Sequence, residues 1–90
     1  MDKEKIYYET LDKIESVINT ENQRMLELTD YNPKTRILNR SYANGKIHAY
    51  LEIIEDYCGL NYLEKAVEIT KEFTDTSLKI CDGIYQYLSR

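Results

Sequence analysis

The sequence predicts a single all-α domain, an antiparallel up-down-up three-helix bundle with long first and third helices. Three observations predict it. The chain has 90 residues with only three glycines and one proline, too little punctuation for a many-stranded fold. Apolar residues recur at three- and four-residue intervals over long stretches, the period of a helix that buries one face. Two short interruptions, Asp30-Tyr31-Asn32-Pro33 and Cys58-Gly59-Leu60-Asn61, divide the chain into three segments, and short connections make neighbouring helices antiparallel. At this length the whole chain, 1–90, is one domain with a thin core.

The first helix is expected from about residue 3 to residue 29, with Asp2 as its N-cap. Tyr7, Leu11, Ile14, Ile18, Met25 and Leu28 carry its apolar stripe. Glu21 interrupts that stripe inside a polar run, and Thr20 with Gln23 has the form of a capping box for a new helix. The register resumes at Met25, so one continuous helix is the expectation.

The second helix is expected from Pro33 to about Tyr57, with Asn32 as cap and Pro33 at the first helical position, where its missing N–H costs nothing. Its apolar face reads Leu38, Tyr42, Ile47, Leu51, Ile54 and Cys58, flanked by Tyr50, Ile53 and Tyr57. Asn44-Gly45 is the weak point. A break there gives four helices, but a mid-helix glycine costs only about 1 kcal/mol, which packing can offset.

The third helix is expected to restart after Gly59, which suits the position just past a helix end. Asn61 with Glu64 resembles its capping box. The stripe Leu63, Ala66, Val67, Thr70, Phe73, Ser77, Ile80, Cys81, Ile84, Tyr87 and Leu88 runs to the end. Thr74 to Ser77 is the second place where a break would give a fourth helix. In an up-down-up arrangement Glu21 and Asn22 fall level with Ser41, Asn44 and Gly45, and with Thr74 and Ser77. The expectation is a polar layer that fixes register, with Gly45 allowing close approach.

Composition bounds the function. Sixteen acids against twelve bases give a net charge of −4, which argues against a generally sticky DNA binder. The start of the chain is charged, and no apolar run approaches the roughly 20 residues of a membrane span. A soluble cytoplasmic protein is therefore expected, with Cys58 and Cys81 reduced on apolar stripes. The one histidine, His48, completes no metal motif with them. Glu64, Glu68 and Glu72 form a solvated stripe that lacks the Glu-x-x-His companion of a carboxylate metal site. No phosphate loop or nucleophile-and-base pattern occurs. The expectation is a protein with no cofactor, no metal and no enzymatic activity.

Two surfaces stand out. Nine tyrosines against one phenylalanine and no tryptophan supply large apolar area with a hydroxyl that wants water or a partner. Tyr50, Ile53 and Tyr57 flank the core stripe of helix two, and a row of exposed aromatics suits a protein interface, including a homodimer. The second surface is basic. Between Tyr31 and Leu51 there is no acid, while Tyr31, Lys34, Arg36, Arg40, Tyr42 and Lys46 interleave bases with aromatics. The bundle end built from residues 24–42 and 78–90 carries six bases against three acids. The opposite end, 2–15 and 49–68, carries four bases against ten acids. The basic set suits an acidic protein partner or a phosphate-bearing nucleic acid.

Residues 45–55, Gly45-Lys46-Ile47-His48-Ala49-Tyr50-Leu51-Glu52-Ile53-Ile54-Glu55, are similar to a helix in small uncharacterised helical proteins of low-GC Gram-positive phages and mobile elements. The resemblance covers eleven residues and implies a phage or mobile-element setting, with no site residues. The leading expectation is a helical protein-interaction module, a regulator or inhibitor that binds a host protein. Nucleic-acid or phosphate binding through segment 31–50 is the alternative. A bacteriocin-immunity-like bundle is a third, resting on size and architecture.

Overall fold

A computed structural model describes residues 2–27 and 33–88, and the side chains of residues 2–24, 35–79 and 86. Three α-helices follow in order: α1 (Lys3–Glu27), α2 (Pro33–Cys58) and α3 (Leu60–Leu88). Among the described residues there is no strand. The start of α1 lies beside the end of α2, where the Cys58 thiol donates to the Lys3 carbonyl at 3.4 Å. It also lies beside the start of α3, where the Tyr7 and Tyr62 rings sit 4.9 Å apart. The helices therefore run up, down and up.

Each boundary has a chemical cause. Asp2 caps α1: its Oδ1 accepts the Lys5 N–H at 3.2 Å, which satisfies a donor that the first turn leaves orphaned, and its carbonyl accepts the Ile6 N–H at 3.2 Å as the first bond of the helix. α1 continues through Thr20 without a restart. The expected end of α1 near residue 29, and the turn with its Asn32 cap, lie outside the described residues.

One residue joins α2 to α3. Gly59 has φ +96°, a left-handed conformation that glycine adopts without a Cβ penalty. Its N–H donates to the carbonyls of Ile54 and Glu55, both at 3.2 Å, and its own carbonyl accepts the Leu63 N–H at 3.1 Å. Gly59 thus ends one helix and caps the next. The Asn61 cap is corrected: α3 begins at Leu60, so Asn61 sits inside its first turn.

Neither expected weak point breaks a helix. α2 runs through Asn44-Gly45 and α3 through Thr74 to Ser77. Gly45 permits no close approach, since nothing stands within 4 Å of where its Cβ would be.

The core combines Tyr7, Leu11 and Ile14 of α1 with Ala43, Ile47, Ile54 and Cys58 of α2 and Ala66 and Phe73 of α3. The expected face of α2 needs correction in its first half. Leu38 and Tyr42 are 68% and 63% exposed, while Ile37, Arg40, Ala43 and Ile47 are buried. Arg40 lies at the centre of the true face, so treating it as a surface charge rotates the apparent stripe around the helix. The buried line of α3 is Ala66, Thr70, Phe73 and Ser77. Its two hydroxyls are satisfied within the helix: Thr70 donates to the Val67 carbonyl at 3.1 Å and Ser77 to the Phe73 carbonyl at 2.8 Å.

The expected polar layer needs correction: a buried polar cluster forms, but of the expected residues only Glu21 and Ser77 belong to it and none of those from α2 does. Glu21 and Ser77 are both buried, and Arg40 joins them. Its Nε lies 3.8 Å from Glu21 Oε1, its Nη1 donates to Ser77 Oγ at 3.3 Å, and its guanidinium stands 4.6 Å over the Phe73 ring. Asn22, Ser41 and Gly45 are exposed, and Asn44 and Thr74 half-buried.

α2 is the central helix. It packs along both neighbours, whereas α1 and α3 meet only sparsely. The seam between them opens into a cleft floored by Arg40 and Phe73, with Ile18 and Asn22 on one wall and Ile69, Glu72 and Thr76 on the other.

Candidate interaction surface

Helical spacing decides which sequence-nominated residues share a face. On α2, Tyr42, Lys46, Tyr50, Ile53 and Tyr57 follow steps of four, four, three and four residues, so they line one flank. That flank points away from the α3 side, where Arg40 meets Phe73 and Ser77. Tyr57 is 52% and Ile53 37% exposed, and Tyr50 is half-buried against the core. The Lys46 ammonium stands 4.6 Å over the Tyr42 ring, a cation–π contact one turn apart.

Alongside this flank, α1 contributes Lys13, Ser16, Thr20 and Arg24. Lys13 and Arg24 are eleven residues apart, close to three full turns, so they project from the same side of α1. The two helices enclose a groove of about 250 Å³ whose lining includes Lys13, Thr20, Arg24, Tyr42, Lys46 and Tyr50. The one carboxylate in this lining, Glu21, is turned inward to the ion pair with Arg40. Lys13, Arg24 and Lys46 thus give the groove an excess of positive charge, beside tyrosine rings and small hydroxyls.

The structure divides the basic set nominated from the sequence. Tyr42 and Lys46 line the groove. Arg40 does not belong to any surface: it is 4% exposed and pairs with Glu21, the one buried carboxylate of α1 among the described side chains. Arg36 is half-buried. Tyr31 and the side chain of Lys34 lie outside the described residues. Tyr50, nominated for a protein interface, lines the groove with Tyr42 and Lys46, so part of the basic set shares one flank with Tyr50, Ile53 and Tyr57. Lys13 and Arg24 were missed. Their eleven-residue spacing was the available signal, but only the packing of α1 on α2 shows that it faces Tyr42 and Lys46.

Among the described residues no group of histidine, cysteine or acidic side chains is placed to hold a metal ion, and no helix is long and apolar enough to cross a membrane. The fold and this face define a small three-helix bundle with a basic, tyrosine-lined groove between its first two helices. Compared with known protein families, characterised proteins and solved structures, the chain matches none.

Proposed function

We propose that this chain is a non-enzymatic helical interaction module that binds another protein through the α1–α2 face. One observation carries the reading: Tyr42, Ile53 and Tyr57 are exposed in a row along one flank of α2, next to a groove. Exposed aromatics cost solvation unless a partner covers them, and tyrosine is enriched at the buried centres of interfaces. The likeness of residues 45–55 to phage and mobile-element proteins supports a role as a regulator or inhibitor of a host protein. The nucleic-acid reading loses one of its bases, since Arg40 faces Glu21 and Ser77 inside the protein.

The test is a photo-reactive amino acid placed at Tyr57, with the same group at Lys71 on the exposed side of α3 as control. In the native host, adducts specific to position 57 are expected. They should vanish when Ile53→Glu is added. An adduct of twice the chain mass identifies a homodimer. Labelling that is equal at both positions, or absent at 57, removes the proposal.

A further inference from the structure

We infer that the α1–α2 groove takes an acidic amphipathic helix of about four turns, whose apolar edge lies on Tyr50, Ile53 and Tyr57 and whose carboxylates meet Lys13, Arg24 and Lys46. The inference rests on the interaction-module reading and names its partner class.

Shape is the first ground. The groove runs between two antiparallel helices, and the flank from Tyr42 to Tyr57 extends about 22 Å at the helical rise per residue, which matches a partner of roughly 15 residues. A helix laid in such a groove anchors through side chains at i, i+3, i+4 and i+7. Tyr50, Ile53 and Tyr57 continue the flank beyond the groove at steps of three and four residues, the interval of such an apolar edge.

Charge is the second ground. Three bases border the groove, and its one carboxylate is engaged by Arg40. An acidic helix places isolated carboxylates opposite these bases, where they steer encounter and set orientation. A long polyanion fits less well. The one end of the face that holds both the start of α1 and the end of α2 is acidic, through Asp2, Glu4, Glu9 and Asp12 and through Glu52, Glu55 and Asp56. A strand of nucleic acid leaving the groove there meets repulsion. The Lys46 ammonium over Tyr42 gives the groove a fixed cation above an aromatic surface, suited to a carboxylate with a neighbouring apolar side chain.

A display library of randomised 15-residue amphipathic helices, selected against the intact protein, tests this. Enrichment of Asp and Glu beside an apolar i, i+3, i+4, i+7 line is expected. The selected peptides should bind about tenfold more weakly to Lys46→Glu and to Lys13→Glu, with Lys71→Glu unchanged and circular dichroism confirming each fold. Raised salt should weaken them further. Enriched helices without an acidic bias overturn the inference and leave the interaction reading standing. No enrichment also overturns it, and the Tyr57 photo-crosslink then decides separately whether the broader reading falls. A single-stranded DNA 20-mer that displaces the peptides overturns it in favour of nucleic acid. A dimer that Ile53→Glu dissociates, and that excludes the peptides, overturns it in favour of a second copy.

Discussion

Arg40 shows how one side chain decides both a core and a surface. Its guanidinium lies between Glu21, Ser77 and the face of Phe73 with almost no solvent contact. Removing one member of a buried ion pair leaves a charge without compensation, which costs about 3–5 kcal/mol. Arg40→Ala should therefore lower the urea midpoint sharply, a large part of the stability of so small a domain. Replacing both partners by apolar residues removes the desolvation penalty along with the attraction. The double variant Glu21→Leu/Arg40→Leu should thus recover most of the loss. If the double variant is as unstable as the single ones, the layer stabilises through something other than mutual charge. From the sequence, Glu21 and Ser77 were legible as interruptions in apolar stripes. Arg40 was not, because an arginine in a polar stretch is most often solvated and nothing local marks the exception.

At the scale of the helix, the two glycines of α2 and its connection have opposite roles. Gly45 lies in an exposed helix interior with nothing within 4 Å of a prospective Cβ. Gly45→Ala should raise stability by about 1 kcal/mol, by restricting the unfolded chain and improving helix propensity. Gly59 has φ +96°, where an L side chain meets its neighbouring carbonyl. Gly59→Ala should cost about 1–2 kcal/mol. Thermal melts of the two variants should therefore shift in opposite directions. The helix termini were legible because caps are local: Asp2 and Gly59 act through residues at most five positions away. The face of α2 was less so. It packs on two neighbours and exposes tyrosines on its remaining flank, so its apolar residues spread around the helix and the periodic signal blurs.

At the scale of the whole molecule, the sparse meeting of α1 and α3 gives particular weight to the Tyr7–Tyr62 contact at one end. Burial pushes the Tyr7 hydroxyl above its ordinary value, with the neighbouring Tyr8 and Tyr62 adding to the effect. Below about pH 10 the phenol is neutral in both the folded and the unfolded chain, so its contribution is fully present. Above that, the unfolded chain ionises first, and stability falls as pH rises toward the higher folded value. Melting temperature should decline as pH rises above about 10, and Tyr7→Phe should make that decline shallower. An identical decline in the variant would assign it to other groups.

The sequence by itself determined three helices, the Asp2 cap and the Gly59 stop, the up-down-up order, and Glu21 and Ser77 as polar interruptions of the apolar stripes. All of these follow from spacing along one chain and from groups a few residues apart. Only the tertiary structure decided which charges are inside, that α2 is central with the α1–α3 seam open, and that Lys13 and Arg24 share a groove with Tyr42, Lys46 and Tyr50. Those outcomes depend on how helices rotate against one another. Periodicity sets the width of an apolar stripe, but the rotation is settled by which polar group can be paired on burial. Here Glu21 and Arg40 pair inside the bundle, and Tyr42 and Tyr57 of α2 face outward.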